Sequence, residues 1–80
     1  PALTVLQNPI VDQVIRVAYR NLDPQTFRLY TASGQAVRCE VVKESPNRVV
    51  IVPRRPPVSG LYVLRAYADN QQLTARVLVP

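Results

Sequence analysis

Apolar and polar residues alternate along most of this chain, and proline, glycine, asparagine and aspartate interrupt the alternation at short, even intervals. A period of two sends successive side chains to opposite faces of an extended strand, whereas a helix needs apolar residues three and four positions apart. No stretch has the helical spacing, so the chain must fold from strands. Leu3–Gln7 reads as a short first strand. Gln13–Arg20 sets Ile15, Val17 and Tyr19 against Val14, Arg16, Ala18 and Arg20. Thr26–Ala32 sets Phe27 and Leu29 against Arg28 and Tyr30, and Gln35–Lys43 sets Val37, Cys39 and Val41 against Arg38 and Glu40. Arg48–Pro53 is a continuous apolar run, the pattern of a strand covered on both faces. Gly60–Ala68 and Gln72–Val79 bring the expected count to seven.

The interruptions carry turn chemistry. Asn8-Pro9 and Asn21–Pro24 cannot continue a ladder, because proline lacks the N–H and restricts the residue before it. Ser33-Gly34 suits a tight hairpin, and Ser45–Asn47 and Asp69-Asn70 supply further turn-forming side chains. Pro53–Pro57 reads as a stiff connector that crosses from one sheet to another. Short strands at this spacing predict an all-β fold, a seven-stranded immunoglobulin-like antiparallel β-sandwich. The paired cysteines and core tryptophan of antibody domains are absent, so only the architecture is expected to be shared.

Eighty residues make one small domain, residues 1–80, in which residues 1–6 hold the end of a preceding linker and the first strand. Such a chain buries roughly 60% of its unfolded surface, which leaves a thin core. No apolar run approaches the ~20 residues of a membrane-spanning helix, so no transmembrane segment is expected. A chain that opens on Pro1 without a signal peptide reads as part of a longer precursor whose export signal lies upstream.

Few residues here can do chemistry. Histidine is absent and Cys39 stands alone, which leaves no disulfide, no cysteine–histidine metal site and no expected cofactor. Cys39 shares an apolar face with Val37 and Val41, where a free thiol behaves as a small hydrophobe. The five acids are scattered: Asp12, Asp23 and Asp69 flank turns, while Glu40 and Glu44 stand beside Arg38 and Lys43 as exposed ion pairs worth little. With only Gly34 and Gly60, no phosphate-binding loop can form. The chain reads as not an enzyme.

The charge is +5, and nine of the ten basic residues are arginine. A basic surface draws polyanions. Arg16, Arg20, Arg28 and Arg38 read as the polar side of neighbouring strands, but only Tyr30 joins them. One aromatic makes a poor stacking platform, so no nucleic-acid partner is expected. Arg54-Arg55, set between prolines, holds two guanidinium groups outward on a stiff loop and suits a carboxylate or phosphate partner.

Three segments occur in a telling order: "NPIVDQVIRV" from Asn8, "FRLYTASGQAV" from Phe27 and "SGLYVLRAY" from Ser59, followed by a last strand. Together they resemble the type A C-terminal sorting domain of type IX secretion substrates from Bacteroidetes, over nearly the whole chain. The opening here reads Leu6-Gln7-Asn8-Pro9 in place of the usual Pro-Asn-Pro, and Arg76 stands near the end where many members finish on a basic residue. The resemblance implies a non-catalytic address label at the end of a cargo protein. Its expected partners are the type IX translocon and sortase proteins. Its route runs through the periplasm to the outer membrane, the cell surface or the medium, with the domain removed or retained. The signal residues it implies are Asn8, Pro9, Asp12, Gly34, Gln35, Gly60, Tyr62, Arg76, Val77 and Val79; Arg54 and Arg55, read from the connector itself, are the expected basic contacts.

Each of these also has a structural task. Asn8-Pro9 stops the lead-in strand, and Asp12 is expected to tie the turn to the backbone. Gly34 permits a hairpin, Gly60 frees the angle at which the chain leaves the connector, and Tyr62 buries its ring with the hydroxyl at an edge. The last strand is expected at an accessible edge, open to a partner or to a second copy of the chain. A structural immunoglobulin-like spacer or adhesive module of a surface protein is the competing reading.

Overall fold

In the computed structural model, which describes residues 1–80, the alternation becomes two facing antiparallel sheets. The strands are β1 (Ala2–Val5), β2 (Ile15–Arg20), β3 (Arg28–Thr31), β4 (Ala36–Val37), β5 (Cys39–Ser45), β6 (Arg48–Pro53), β7 (Gly60–Ala68) and β8 (Gln71–Val79). One sheet has the order β1-β2-β6-β5 and the other β4-β3-β7-β8, so the fold is a β-sandwich. The single helical element is a 3-10 turn, Pro24–Thr26, in which the Asp23 carboxylate accepts from the Gln25 N–H at 2.9 Å. No helix is long and apolar enough to cross a membrane.

The strand count is eight rather than seven. The expected strand Gln35–Lys43 divides at Arg38: Val37 pairs with Leu29 in one sheet, while Cys39 pairs with Pro53 in the other. Val37 and Cys39 both pack against the core, so the alternation runs unbroken through the change of sheet. No turn residue marks the crossing, and the pattern alone does not reveal it. Arg48–Pro53 is covered on one face only, with Val49, Ile51 and Pro53 buried but Val50 and Val52 half-buried on the outside. Arg16 and Arg20 share the outer face of β2, but Arg28 lies on β3 of the opposite sheet and Arg38 at the crossing, so the four form no common face. The ion pairs expected of Glu40 and Glu44 do not form.

Thirteen buried apolar residues form one core. Ile15 lies opposite Ile51 and Val17 opposite Val49 in the first sheet. In the second, Leu64 lies opposite Leu29 and Tyr62 opposite Val77. Burying an aliphatic side chain of this size contributes about 1.5–3 kcal/mol, which is how strict alternation turns into sheet-on-sheet packing. Tyr19 and Phe27 join the sheets edge to face, with centroids 5.4 Å apart and rings at 89°. Thr26 anchors the 3-10 turn to β7, accepting from the Tyr67 N–H at 3.2 Å.

The hairpins follow their residues. Thr31 and Gln35 close a three-residue loop: Gly34 N–H donates to the Thr31 carbonyl, and Gly34 has φ of 94°. That is a type I turn followed by a left-handed residue, where glycine avoids a Cβ clash. Pro46-Asn47 joins β5 to β6, with a bulge between Lys43 and Ser45, and Asp69-Asn70 joins β7 to β8.

Candidate recognition surface

Several segments singled out from the sequence, remote from one another along the chain, meet at one end of the second sheet. Ala32 N–H, beside the Gly34 turn, donates to the Leu61 carbonyl at 3.1 Å. Leu61 lies opposite Leu78, and the Leu78 carbonyl accepts from Ile10 N–H at 2.9 Å. A single row of backbone pairing therefore runs from the β3–β4 turn through β7 and β8 to the segment after Asn8-Pro9.

Asn8 fixes the outer end of that row. Its Nδ2 donates to the Arg76 carbonyl at 2.9 Å, and its Oδ1 accepts from Leu78 N–H at 2.8 Å. A side-chain amide carries the same donor and acceptor as a peptide group, so Asn8 stands in for a neighbouring strand along the edge of β8. Asp would lack the donor and Leu both groups. The Asn8-Pro9 peptide is cis. Beyond it, Asp12 and Gln13 adopt φ of 60° and 62° between the bridged residues Val11 and Val14. Two successive left-handed residues make the turn that delivers the chain to β2. The tie expected of Asp12 is not made: its carboxylate is exposed and accepts no hydrogen bond, and its part in the turn is conformational.

At the start of β7, Gly60 takes φ of 149° opposite Val79. Ser59 Oγ donates to the Pro80 carbonyl at 2.8 Å, which ties the end of β8 to the connector. The Tyr62 ring is buried and its hydroxyl donates to the Val58 carbonyl at 2.8 Å. Tyr62, Val77 and Val79 are therefore core residues that present no side chain at the surface. Asn8, Pro9, Asp12, Gly34, Gln35, Gly60 and Arg76 are exposed. Arg54 and Arg55 are exposed in the connector that leads to Gly60, and Arg54 N–H donates to the Arg38 carbonyl at 3.0 Å.

Other members of this surface were not singled out from sequence. Ile10 is buried and holds the Leu78 carbonyl; an apolar residue directly after Asn8-Pro9 was the available signal. Leu61 and Leu78 face each other on the outside of the sheet, 39% and 46% exposed. On the same outer face Arg65 stacks over Tyr30, 4.9 Å from the ring centroid, and its buried Nε has no hydrogen-bond partner. Burial pushes the Cys39 thiol above its ordinary pKa, while its Sγ donates weakly to the Val37 carbonyl at 3.4 Å.

No family model and no curated protein sequence matches the chain. Among solved structures, the copper resistance protein PcoC from Escherichia coli is similar over 85% of this chain and 83% of its own, with a TM-score of 0.56 and 22% identity. At that identity the likeness establishes the β-sandwich and nothing about what the chain binds.

Proposed function

We propose that this chain is a non-catalytic sorting domain that directs a cargo protein through the outer membrane by type IX secretion. One observation carries the reading: the Asn8 side chain bonds both Arg76 and Leu78, so the first and last motifs of the resemblance form one folded unit at the edge of the final strand. The signal is then a shape assembled from distant segments, with translocon and sortase proteins as its partners and the cell surface or medium as its destination. The test is a reporter fused upstream of the chain in a type IX-competent cell. The intact domain should export it. Asn8→Ala should reduce export, and deletion of Leu73–Pro80 should strand the reporter in the periplasm. Export unchanged by that deletion refutes the proposal.

We also read the sandwich as immunoglobulin-like. The strand orders β1-β2-β6-β5 and β4-β3-β7-β8 correspond to ABED and C′CFG. The Tyr62 hydroxyl bonded four residues upstream has the form of a tyrosine corner, and the fully buried Leu64 stands where an antibody domain places its second cysteine. These features favour equally a spacer or adhesive module within a surface protein. The gene distinguishes the two, because a spacer is followed by further domains. Copper binding is not proposed: the chain has no methionine, no histidine and one cysteine, and so lacks the soft and imidazole ligands that copper prefers.

A further inference from the structure

The short β4 leaves a gap in the sandwich. β4 stops at Val37, whereas β5 continues to Ser45, so much of the inner face of β5 meets no opposing strand. Val41 shows the consequence: it pairs with the buried Ile51 and belongs to the inward set, yet it is 37% exposed. Between the sheets on this side lies a groove of about 500 Å³ whose accessible apolar lining is Ala36, Val37, Cys39 and Val41, set over the buried Phe27, Leu29, Ile51 and Leu64. That volume falls in the range of small-ligand sites.

The charged residues around the groove are all of one sign. Arg28, Arg38 and Arg54 line the groove, and no aspartate or glutamate does. Arg28 is held in place, with Nη1 donating to the Gln25 and Phe27 carbonyls at 2.8 Å each. The backbones of Arg38 and Arg54 are joined at 3.0 Å, which sets two guanidinium-bearing residues side by side. Neither guanidinium has a hydrogen-bond or ion-pair partner within the fold, so both are free to take a bidentate anion. The accessible apolar lining beside these cations, Ala36, Val37, Cys39 and Val41, selects an anion with a hydrocarbon body.

We propose that this groove binds a small amphiphilic carboxylate, with the aliphatic chain against Val37, Cys39 and Val41 and the head group held by Arg38 and Arg54. The site is separate from the Asn8 edge, and its test is independent of secretion. Cys39, the only cysteine, lines the groove and reports occupancy. Decanoate, kept below its micelle concentration, should bind the purified chain saturably by calorimetry with one site. It should also slow alkylation of Cys39 by iodoacetamide severalfold. Decanol, which lacks the charge, and acetate, which lacks the chain, should each bind about tenfold or more weakly. Arg38→Gln with Arg54→Gln should weaken decanoate to the same degree. Arg20→Gln with Arg48→Gln removes the same charge elsewhere and should leave affinity and Cys39 protection unchanged, with circular dichroism showing both double variants folded. Non-saturable uptake, equal binding of decanol, an unprotected Cys39, or equal losses in the two double variants would each overturn the proposal.

Discussion

The two long sides of the sandwich are closed by different means. On one, the chain itself passes between the sheets through a single residue, Arg38, from β4 to β5. On the other, β1 and β8 belong to different sheets, and the join is made by the Asn8 side chain and the Ile10 amide on the edge of β8. The covalent crossing cannot detach, yet its brevity leaves β5 overhanging and opens the groove. The join at Asn8 is reversible, yet β1 lies along β8 and its Leu3 and Val5 pack against the core from that side. Connection and packing are thus separate achievements. The side fixed by covalent bonds is the open one, and the side joined by the Asn8 side chain and the Ile10 amide is covered by β1.

The largest expected effect comes from the layer that both sides share. Leu64 is fully buried at the centre of the second sheet and lies beneath the groove. Leu64→Ala should lose about 2–5 kcal/mol in urea denaturation, a large fraction of a small domain's stability. Asn8→Ala acts on one side only. It removes the donor to Arg76 and the acceptor for Leu78 and should cost about 1–2 kcal/mol. Hydrogen exchange locates the loss: the Leu78 amide should exchange faster while the Arg54 amide at the crossing keeps its protection. Equal acceleration at both amides would mean that the two sides open together, and the comparison would fail.

Much of this arrangement was legible in the sequence, and the exceptions have physical causes. The inward rows Ile15-Val17-Tyr19 and Phe27-Leu29 follow from alternation, because a half-buried strand can present apolar residues in no other way. The change of sheet at Arg38 was hidden for the same reason: Val37 and Cys39 keep the alternation whichever sheet they join. Alternation also assigns arginines to outer faces without saying which sheet, and so Arg28 seemed to neighbour Arg16 when its cross-strand partner is Arg65. The bonding of Asn8 to residues 68 and 70 positions away lies beyond any local pattern. The turn residues at Asn8-Pro9 were visible; the strand they serve was not.

A smaller effect separates the turn from the edge it supports. Gly34→Ala meets no steric neighbour, since nothing lies within 4 Å of the added Cβ, so its cost is the left-handed backbone alone, about 1 kcal/mol. The Gly34 turn and Asn8 stand at opposite ends of the same row of pairing. If the row acts as a unit, the double variant with Asn8→Ala should deviate from additivity; if each end is independent, the losses should sum within about 0.5 kcal/mol.

The smallest expected effect belongs to the crossing side and depends on pH. Desolvation raises the Cys39 pKa above its ordinary value of 9.0 in the folded chain. Between the unfolded and folded values the native thiol keeps a proton that the unfolded chain releases, so stability falls as pH rises above about 9. Cys39→Ser removes this titration and should flatten that part of the stability curve relative to the parent, whatever its effect on stability at neutral pH. Urea midpoints at pH 7.5 and pH 10 measure the difference. Decanoate should steepen the parent's decline, because an anionic head group held beside the thiol further disfavours the thiolate. An identical slope in parent and variant would place Cys39 in solvent and remove the groove wall that separates the crossing side from the covered one.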